Sequence, residues 1–175
     1  LLVGPWSSAG PISFDADAEI LWIRFHIGVY MPGRLTRQLL NSETPLPTAR
    51  RGRVWLASDT WEPPSFDNAD DFIGHLSHAG VLTHDDAVCA ALRGEPTDLA
   101  TRTLRHRFLH TTGSSQRHIE QVQRAWWAAD LLRAGTPVLD VVAQAGYYDQ
   151  PHLTRAMRQY IGHTPTQLLS TANIG

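Results

Sequence analysis

The chain has 175 residues, with 15 basic residues against 17 acidic ones and a formal net charge of −2. That length allows one domain or two small ones with a buried core, while the overall charge argues against a uniformly basic nucleic-acid-binding surface. The single cysteine, Cys89, excludes an intramolecular disulfide framework, and no apolar run approaches the length of a membrane span.

The charge is unevenly spread. Residues 97–175 carry 8 Arg against 5 Asp+Glu, net +3, whereas residues 1–96 carry 7 Arg against 12 Asp+Glu, net −5. An acidic first half and a mildly basic second half suit a sensor joined to a DNA-binding domain. No charged-then-apolar leader opens the sequence, so a reducing bacterial cytoplasm is the expected compartment. Cys89 lies in the apolar run DAVCAALRG and is expected to behave as a buried small hydrophobe.

In chain order, Leu1 to Asp17 is rich in Gly, Pro and Ser and predicts loop with one short strand. Glu19 to Tyr30 alternates Leu21, Ile23, Phe25, Ile27 and Val29 with Trp22, Arg24, His26, Gly28 and Tyr30, and predicts the best strand of the chain. Its first set faces a core. The second could line a ligand cavity or meet solvent, and solvent is favoured because half-exposed strands commonly read this way. Arg34 to Leu40 predicts a short helix and Asn41 to Gly52 a polar loop, whose Arg50-Arg51-x-Arg53 run reads as solvated rather than phosphate-binding. Arg53 to Trp61 is either a second strand or an irregular apolar segment. Phe66 to Ala79 follows with Phe72, Ile73 and Leu76 at helical spacing and Asp67, Asp70 and Asp71 near its start. His75, His78 and His84 lack a fixed fourth ligand and a cysteine, so no metal site is expected there.

Thr83 to Asp86 caps a predicted helix that runs to about Arg93 and stops at Gly94, and Pro96-Thr97-Asp98 begins the next. Gln116 to Ala134 predicts one long helix with Ile119, Val122, Trp126, Ala129 and Leu132 along one side. There Trp126 and Trp127 are expected to pack rather than to touch a base. Val138 to Pro165 reads as two short helices and a tight turn. Val138, Val141, Val142 and Ala145 recur at helical spacing, Gly146 supplies the positive φ, and Asp149 caps a second helix with Pro151 in its first turn. On that second helix Leu153, Met157 and Tyr160 or Ile161 form an inward stripe, leaving His152, Thr154, Arg155 and Arg158 elsewhere. Pattern alone allows either a major-groove reading helix or an ordinary antiparallel helix pair of a bundle.

The string A-x-A-G-Y-Y-D-Q-x-H-L-x-R-x-x-R-x-x-x-G-x-T-P, Ala143 to Pro165, resembles the second helix-turn-helix of the AraC/XylS transcription regulators. Leu153 and Met157 stand where that family commonly has phenylalanine, which keeps the stripe apolar. Pro151 replaces a small polar residue and alters a position that could face a base. Leu99 to Gly113 resembles the reading helix of the family's first motif, with Leu104 and Phe108 inward, Gly113 as the stop, and Arg102, Thr103, Arg105 and His106 outward. Gln116 to Ala134 resembles the linker helix that holds the two motifs about one DNA turn, roughly 34 Å, apart. A positioning helix normally precedes the first reading helix, but here only Glu95 to Thr101 intervenes. Either the helix from His84 to Arg93 doubles as positioning helix, or the first motif is degenerate.

The resemblance implies an α+β fold: a small N-terminal β-containing, partial barrel-like region over residues 1–80, then an all-α bundle over residues 81–175 with two helix-turn-helix motifs on a long linker helix. It implies a DNA-binding transcription regulator whose contacts come from Gln150, Pro151, His152, Thr154, Arg155 and Arg158 of the second motif and from Arg102, Thr103, Arg105 and His106 of the first. The second motif is expected to read and the first mainly to anchor. Double-stranded DNA is the expected partner. A small-molecule effector and a homodimer stay open, contact with RNA polymerase follows from the family alone, and no membrane is expected. The rival reading is a ligand-binding or protein-interaction module with a degenerate DNA-binding domain. No nucleophile–base–orienter spacing, phosphate-cradling glycine loop or metal-ligand set is present, so neither catalysis nor a cofactor is expected.

Overall fold

The computed structural model describes residues 1–10, 14, 17–34 and 36–172. The remaining residues of the Leu1 to Asp17 loop, and Leu35 within the expected Arg34–Leu40 helix, lie outside them. Two compact units form, one from the described residues of Leu1–Trp6 and Phe14–Ser115, the other from those of Ser7–Ser13 and Gln116–Gly175.

The first unit mixes short strands and helices. Strand β1 (Leu2–Val3) pairs antiparallel with β3 (Glu43–Thr44), and β2 (Val29–Tyr30) pairs with β6 (Thr83–His84). Strands β4 (Val54–Leu56) and β5 (Asp59–Trp61) form a hairpin. Its two turn residues, Ala57 and Ser58, hold positive φ of 51° and 68°, as a two-residue hairpin turn demands. Helix α1 (Thr36–Leu39) lies between β2 and β3, and α2 (Ala69–His78) between β5 and β6. Met31, Leu56, Leu76, Val81 and Leu82 form the core, covered by Leu2, Val29, Leu46, Trp61, Phe72 and Ile73.

Three two-stranded ribbons with no shared strand replace the expected barrel-like wall among the described residues. The Glu19–Tyr30 strand is cut back to Val29–Tyr30, because among the described residues no second strand runs beside residues 19–26 to complete a ladder. The alternation survives in burial at Leu21 and Ile23 against Trp22 and Arg24, then fails where Phe25 and Ile27 are both exposed. Arg53 to Trp61 resolves into a hairpin, in which the Arg53 guanidinium donates to Thr60 through both its hydroxyl and its carbonyl. Arg53 is thereby withdrawn from the exposed Arg50-Arg51 pair. Helix α2 begins at Ala69 rather than Phe66, since Asn68 turns its Oδ1 back to accept from the Ser65 N–H at 2.7 Å. His78 Nδ1 contacts the Gly74 carbonyl at 2.7 Å and His84 Nε2 meets Asp86 at 2.9 Å, so each imidazole has a local partner. Cys89 is half-buried against the Ile27–Gly28 backbone, where a Cβ on Gly28 would come within 2.7 Å of its sulfur.

The unit ends in α3 (Asp86–Leu92) and α4 (Thr101–Thr112), which pack together. Helix α4 starts five residues after Pro96, because Thr97 and Asp98 accept no amide of its first turn and the N-cap falls on Ala100.

In the second unit α5 (Gln116–Arg133) packs against α6 (Val138–Gln144), α7 (Gln150–Tyr160) and α8 (Pro165–Ala172). Ala125, Ala128 and Ala129 are fully buried on α5, and such small side chains let helix backbones approach closely. Around Ala128 and Ala129 gather Leu132, Val141, Ala145, Tyr147, Leu153, Met157 and Leu168. Trp126 and Trp127, expected to pack, are 43 % and 50 % exposed. The alanine side of α5 takes the interior instead, and the Arg133 guanidinium lies 6.0 Å from the Trp126 ring centre. Helix α8 was not expected. Its signal is the run Thr164-Pro165-Thr166-Gln167, a reciprocal cap in which Thr164 N–H donates to Gln167 Oε1 at 2.9 Å and Gln167 N–H to Thr164 Oγ1 at 3.3 Å.

Candidate nucleic-acid interface

The second motif is built as its residue types demand. Val141 and Ala145 bury one side of α6, and Gly146 then takes φ of 67° while the Tyr147 amide closes on the Val142 carbonyl at 2.9 Å. The chain reverses, and Asp149 caps α7 by accepting the His152 amide at 2.7 Å. Pro151 sits in the first turn, where its missing N–H leaves no helical bond unmade. Leu153 and Met157 are fully buried, which fixes the rotation of α7 and leaves Gln150, Pro151, His152, Arg155 and Arg158 exposed and Thr154 half-buried.

Pro151, Arg155 and Arg158 stand at i, i+4 and i+7, so one outer face carries both guanidinium groups. Neither arginine has a hydrogen-bond or ion-pair partner among the described residues, leaving their donor forks open for planar acceptors such as phosphates and guanine edges. His152 is turned toward its own motif. Its ring meets Tyr147 edge-on at 5.1 Å, and its Nδ1 lies 3.5 Å from the Tyr148 amide.

Two features of the turn escape a pattern reading. Tyr148 projects from it 92 % exposed, beside the first turn of α7. Tyr147 is buried, its hydroxyl has no partner among the described residues, and the Arg124 guanidinium lies 5.9 Å from its ring centre. Burial pushes the Tyr147 phenol up from its ordinary value, partly opposed by Arg124. The doublet Tyr147-Tyr148 therefore splits into one core ring and one surface ring, which identical residue types cannot reveal.

On α4, Phe108 is buried and Leu104 half-buried, while Arg102, Thr103, Arg105 and His106 are exposed. Thr111 and Thr112 turn their hydroxyls onto the Arg107 and Phe108 carbonyls at 2.8 and 2.7 Å, and Gly113 ends the helix at φ of 72°. His106 stacks at 6.5 Å on His110, which meets Tyr30 edge-on at 5.3 Å. The cap expected within Thr83 to Asp86 falls on Asp85, and its second partner, Arg107, carries no signal in the sequence pattern. Asp85 caps α3 by accepting the Ala87 and Val88 amides at 3.1 and 3.2 Å, and Arg107 of α4 donates to the same carboxylate at 3.1 and 3.2 Å. One carboxylate thus starts α3 and holds α4. The connection between them contains a second pair, Arg93 to Glu95 at 2.6 Å, whose mutual hydrogen bond raises the Arg93 pKa and lowers that of Glu95.

Among the described residues, no helix is long and apolar enough to cross a membrane. No curated protein and no solved structure gives a significant match to the chain. Residues 96–171 match a family model described as a helix-turn-helix domain, a span that begins after α3 and takes in α4 through most of α8. The match covers residues 96–171 and supports the resemblance of that part of the chain to the AraC-type helix-turn-helix domain of DNA-binding transcription regulators.

Proposed function

We propose that the chain binds duplex DNA sequence-specifically, with α7 entering the major groove and α4 supplying a second, mainly anchoring contact. The observation that carries this reading is the outer face of α7, where the Arg155 and Arg158 guanidinium groups have no partner among the described residues and the helix is fixed in rotation by buried Leu153 and Met157. In this reading Arg155, Gln150 and Pro151 face bases near the capped end. Thr154 sits half-buried beside Arg155, Arg158 lies further along the helix, and His152 contributes mainly by bracing the turn. Arg102, Thr103, Arg105 and His106 of α4 meet the backbone, where affinity largely originates. The protein acts as a binding protein in the bacterial cytoplasm, with residues 81–175 as the DNA-binding part and residues 1–80 as a regulatory part that answers to a small molecule. The open groove described next supports that control.

Selection of duplexes from a random pool at two salt concentrations tests the reading. An enriched motif is expected. Arg155→Ala should weaken binding to it by about 1–3 kcal/mol and relax preference at one base pair. A pool with no enriched motif, or an Arg155→Ala protein that binds unchanged, would sink it.

A further inference from the structure

We propose that the groove between residues 23–26, α2 and β6 binds a small amphipathic carboxylate, and that occupancy is passed to α4 through β2, β6 and Asp85. This deepens the small-molecule control proposed above by naming the ligand's chemistry and its route to a DNA-contacting helix.

The groove measures about 510 Å³, within the range of roughly 300–1,000 Å³ of small-molecule sites. Its floor is apolar. Leu82 and Ile73 belong to the core of the first unit or pack against it, and Phe25, 37 % exposed, lines the groove with them. Its rim is cationic or neutral. The side chains of Arg24 and His26 line it and make no hydrogen bond or ion pair among the described residues, and His84 adds a second imidazole, which the Asp86 carboxylate holds at 2.9 Å from outside the lining. A guanidinium with free donors above an apolar floor selects a carboxylate with a hydrophobic body, since the planar fork binds both carboxylate oxygens together. A cation would meet Arg24 unopposed, and an uncharged alcohol would forgo the charge-assisted bonds.

The groove wall is continuous with α4. Strand β6 supplies His84 to the groove and pairs with β2, whose Tyr30 meets His110 of α4 at 5.3 Å. The next residue after His84 is Asp85, which caps α3 and takes Arg107 of α4. A ligand that shifts β6 therefore shifts both points that hold the exposed face of α4.

Isothermal titration calorimetry of the whole chain, without DNA, tests this with three probes of one skeleton: 3-phenylpropionate, 3-phenylpropanol and 3-phenylpropylamine. The acid should bind saturably at one site, about tenfold or more tighter than the alcohol, with the amine weakest. Arg24→Gln, a change at an exposed side chain, should erase the acid's advantage. Addition of the acid should also move the His110 imidazole resonances in a two-dimensional NMR spectrum. Absence of acid binding, equal affinity for acid and alcohol, or an Arg24→Gln chain that keeps the preference overturns the site. Static His110 resonances at saturation overturn the route to α4. Because DNA is absent, a chain that takes the acid but selects no duplex would refute the DNA reading and leave this site standing.

Discussion

Asp85 offers the sharpest test of how α3 and α4 are held together, because one side chain serves two purposes. Its carboxylate caps α3 and holds Arg107, and it is nearly buried at 9 % side-chain exposure while Arg107 keeps 46 %. Loss of an N-cap costs about 1 kcal/mol. The ion pair is half open to solvent, so screening limits it to roughly 0.5–1 kcal/mol. Asp85→Ala should therefore destabilise by about 1.5–2 kcal/mol, which for a chain of this length lowers Tm by roughly 3–8 °C. Asp85→Asn keeps an acceptor for the cap and loses only the charge, so about 0.5–1 kcal/mol is expected, close to the cost of Arg107→Ala. The assay is urea unfolding followed by circular dichroism, on both single variants and the Asp85→Ala/Arg107→Ala double variant, at low and high salt. The double-mutant cycle should give a coupling near 0.5–1 kcal/mol that shrinks at high salt, while the cap contribution stays. A coupling indistinguishable from zero would refute the bridge, and Asp85→Asn as harmful as Asp85→Ala would refute the cap.

Three further outcomes are expected. Tyr147→Phe removes a buried hydroxyl that has no partner among the described residues and keeps the ring, so it should stabilise by about 1 kcal/mol; a loss of stability would reveal a hydrogen bond to that oxygen. Because burial raises the folded-state phenol pKa, this residue's contribution is full below the ordinary tyrosine value of about 10 and falls as pH climbs past it, a limb that calorimetry should find missing in Tyr147→Phe. Gly146→Ala meets no atom within 4 Å but must hold φ of 67°, so a cost of about 1 kcal/mol without change in the circular dichroism spectrum is expected at this turn. Arg158→Ala should reduce the slope of log affinity against log salt by about 1 and leave the selected sequence unchanged, if its guanidinium meets a phosphate.

The helices were legible wherever one residue type had one physical use. Gly146 and Asp149 announce a stop and a start, and the structure puts the positive φ and the cap there. The long helix was equally plain, at Gln116–Arg133 against an expected Gln116–Ala134, and of its expected inward side Ile119, Ala129 and Leu132 are buried, Val122 is half-buried and Trp126 is exposed. Counting tryptophan as core overlooks that alanine is favoured where helices cross closely, and α5 buries three alanines while leaving both tryptophans exposed. The β region was the least legible. Alternation over Glu19–Tyr30 describes a strand's faces but not its partner, and without a neighbour most of it makes no ladder. The hairpin at Val54–Trp61 lacks the usual Asn-Gly signal, since Ala57 and Ser58 occupy its turn at positive φ. At the candidate interface, exposure of Arg155 and Arg158 followed from helical spacing, whereas the attachment of His152 to Tyr147 required the folded turn.

The two proposed DNA-contacting helices also differ in how firmly their first turns are held, and that difference bears on which one discriminates bases. Recognition helices contact base edges mainly through their N-terminal residues. Helix α7 opens on Asp149, whose carboxylate holds the His152 amide, with Pro151 fixing φ inside the same turn and His152 packed on Tyr147. Gln150, Pro151 and Arg155 are therefore presented on a backbone already ordered, and little conformational freedom remains to be lost on binding. Helix α4 opens on Ala100, which provides no side-chain cap, so Arg102 and Thr103 ride on a turn with unmet amides that can fray. Its firm attachments, Arg107 to Asp85 and His110 to Tyr30, lie in the later turns. Geometry that discriminates one base from another needs the first arrangement. Contact with a uniform phosphate backbone tolerates the second.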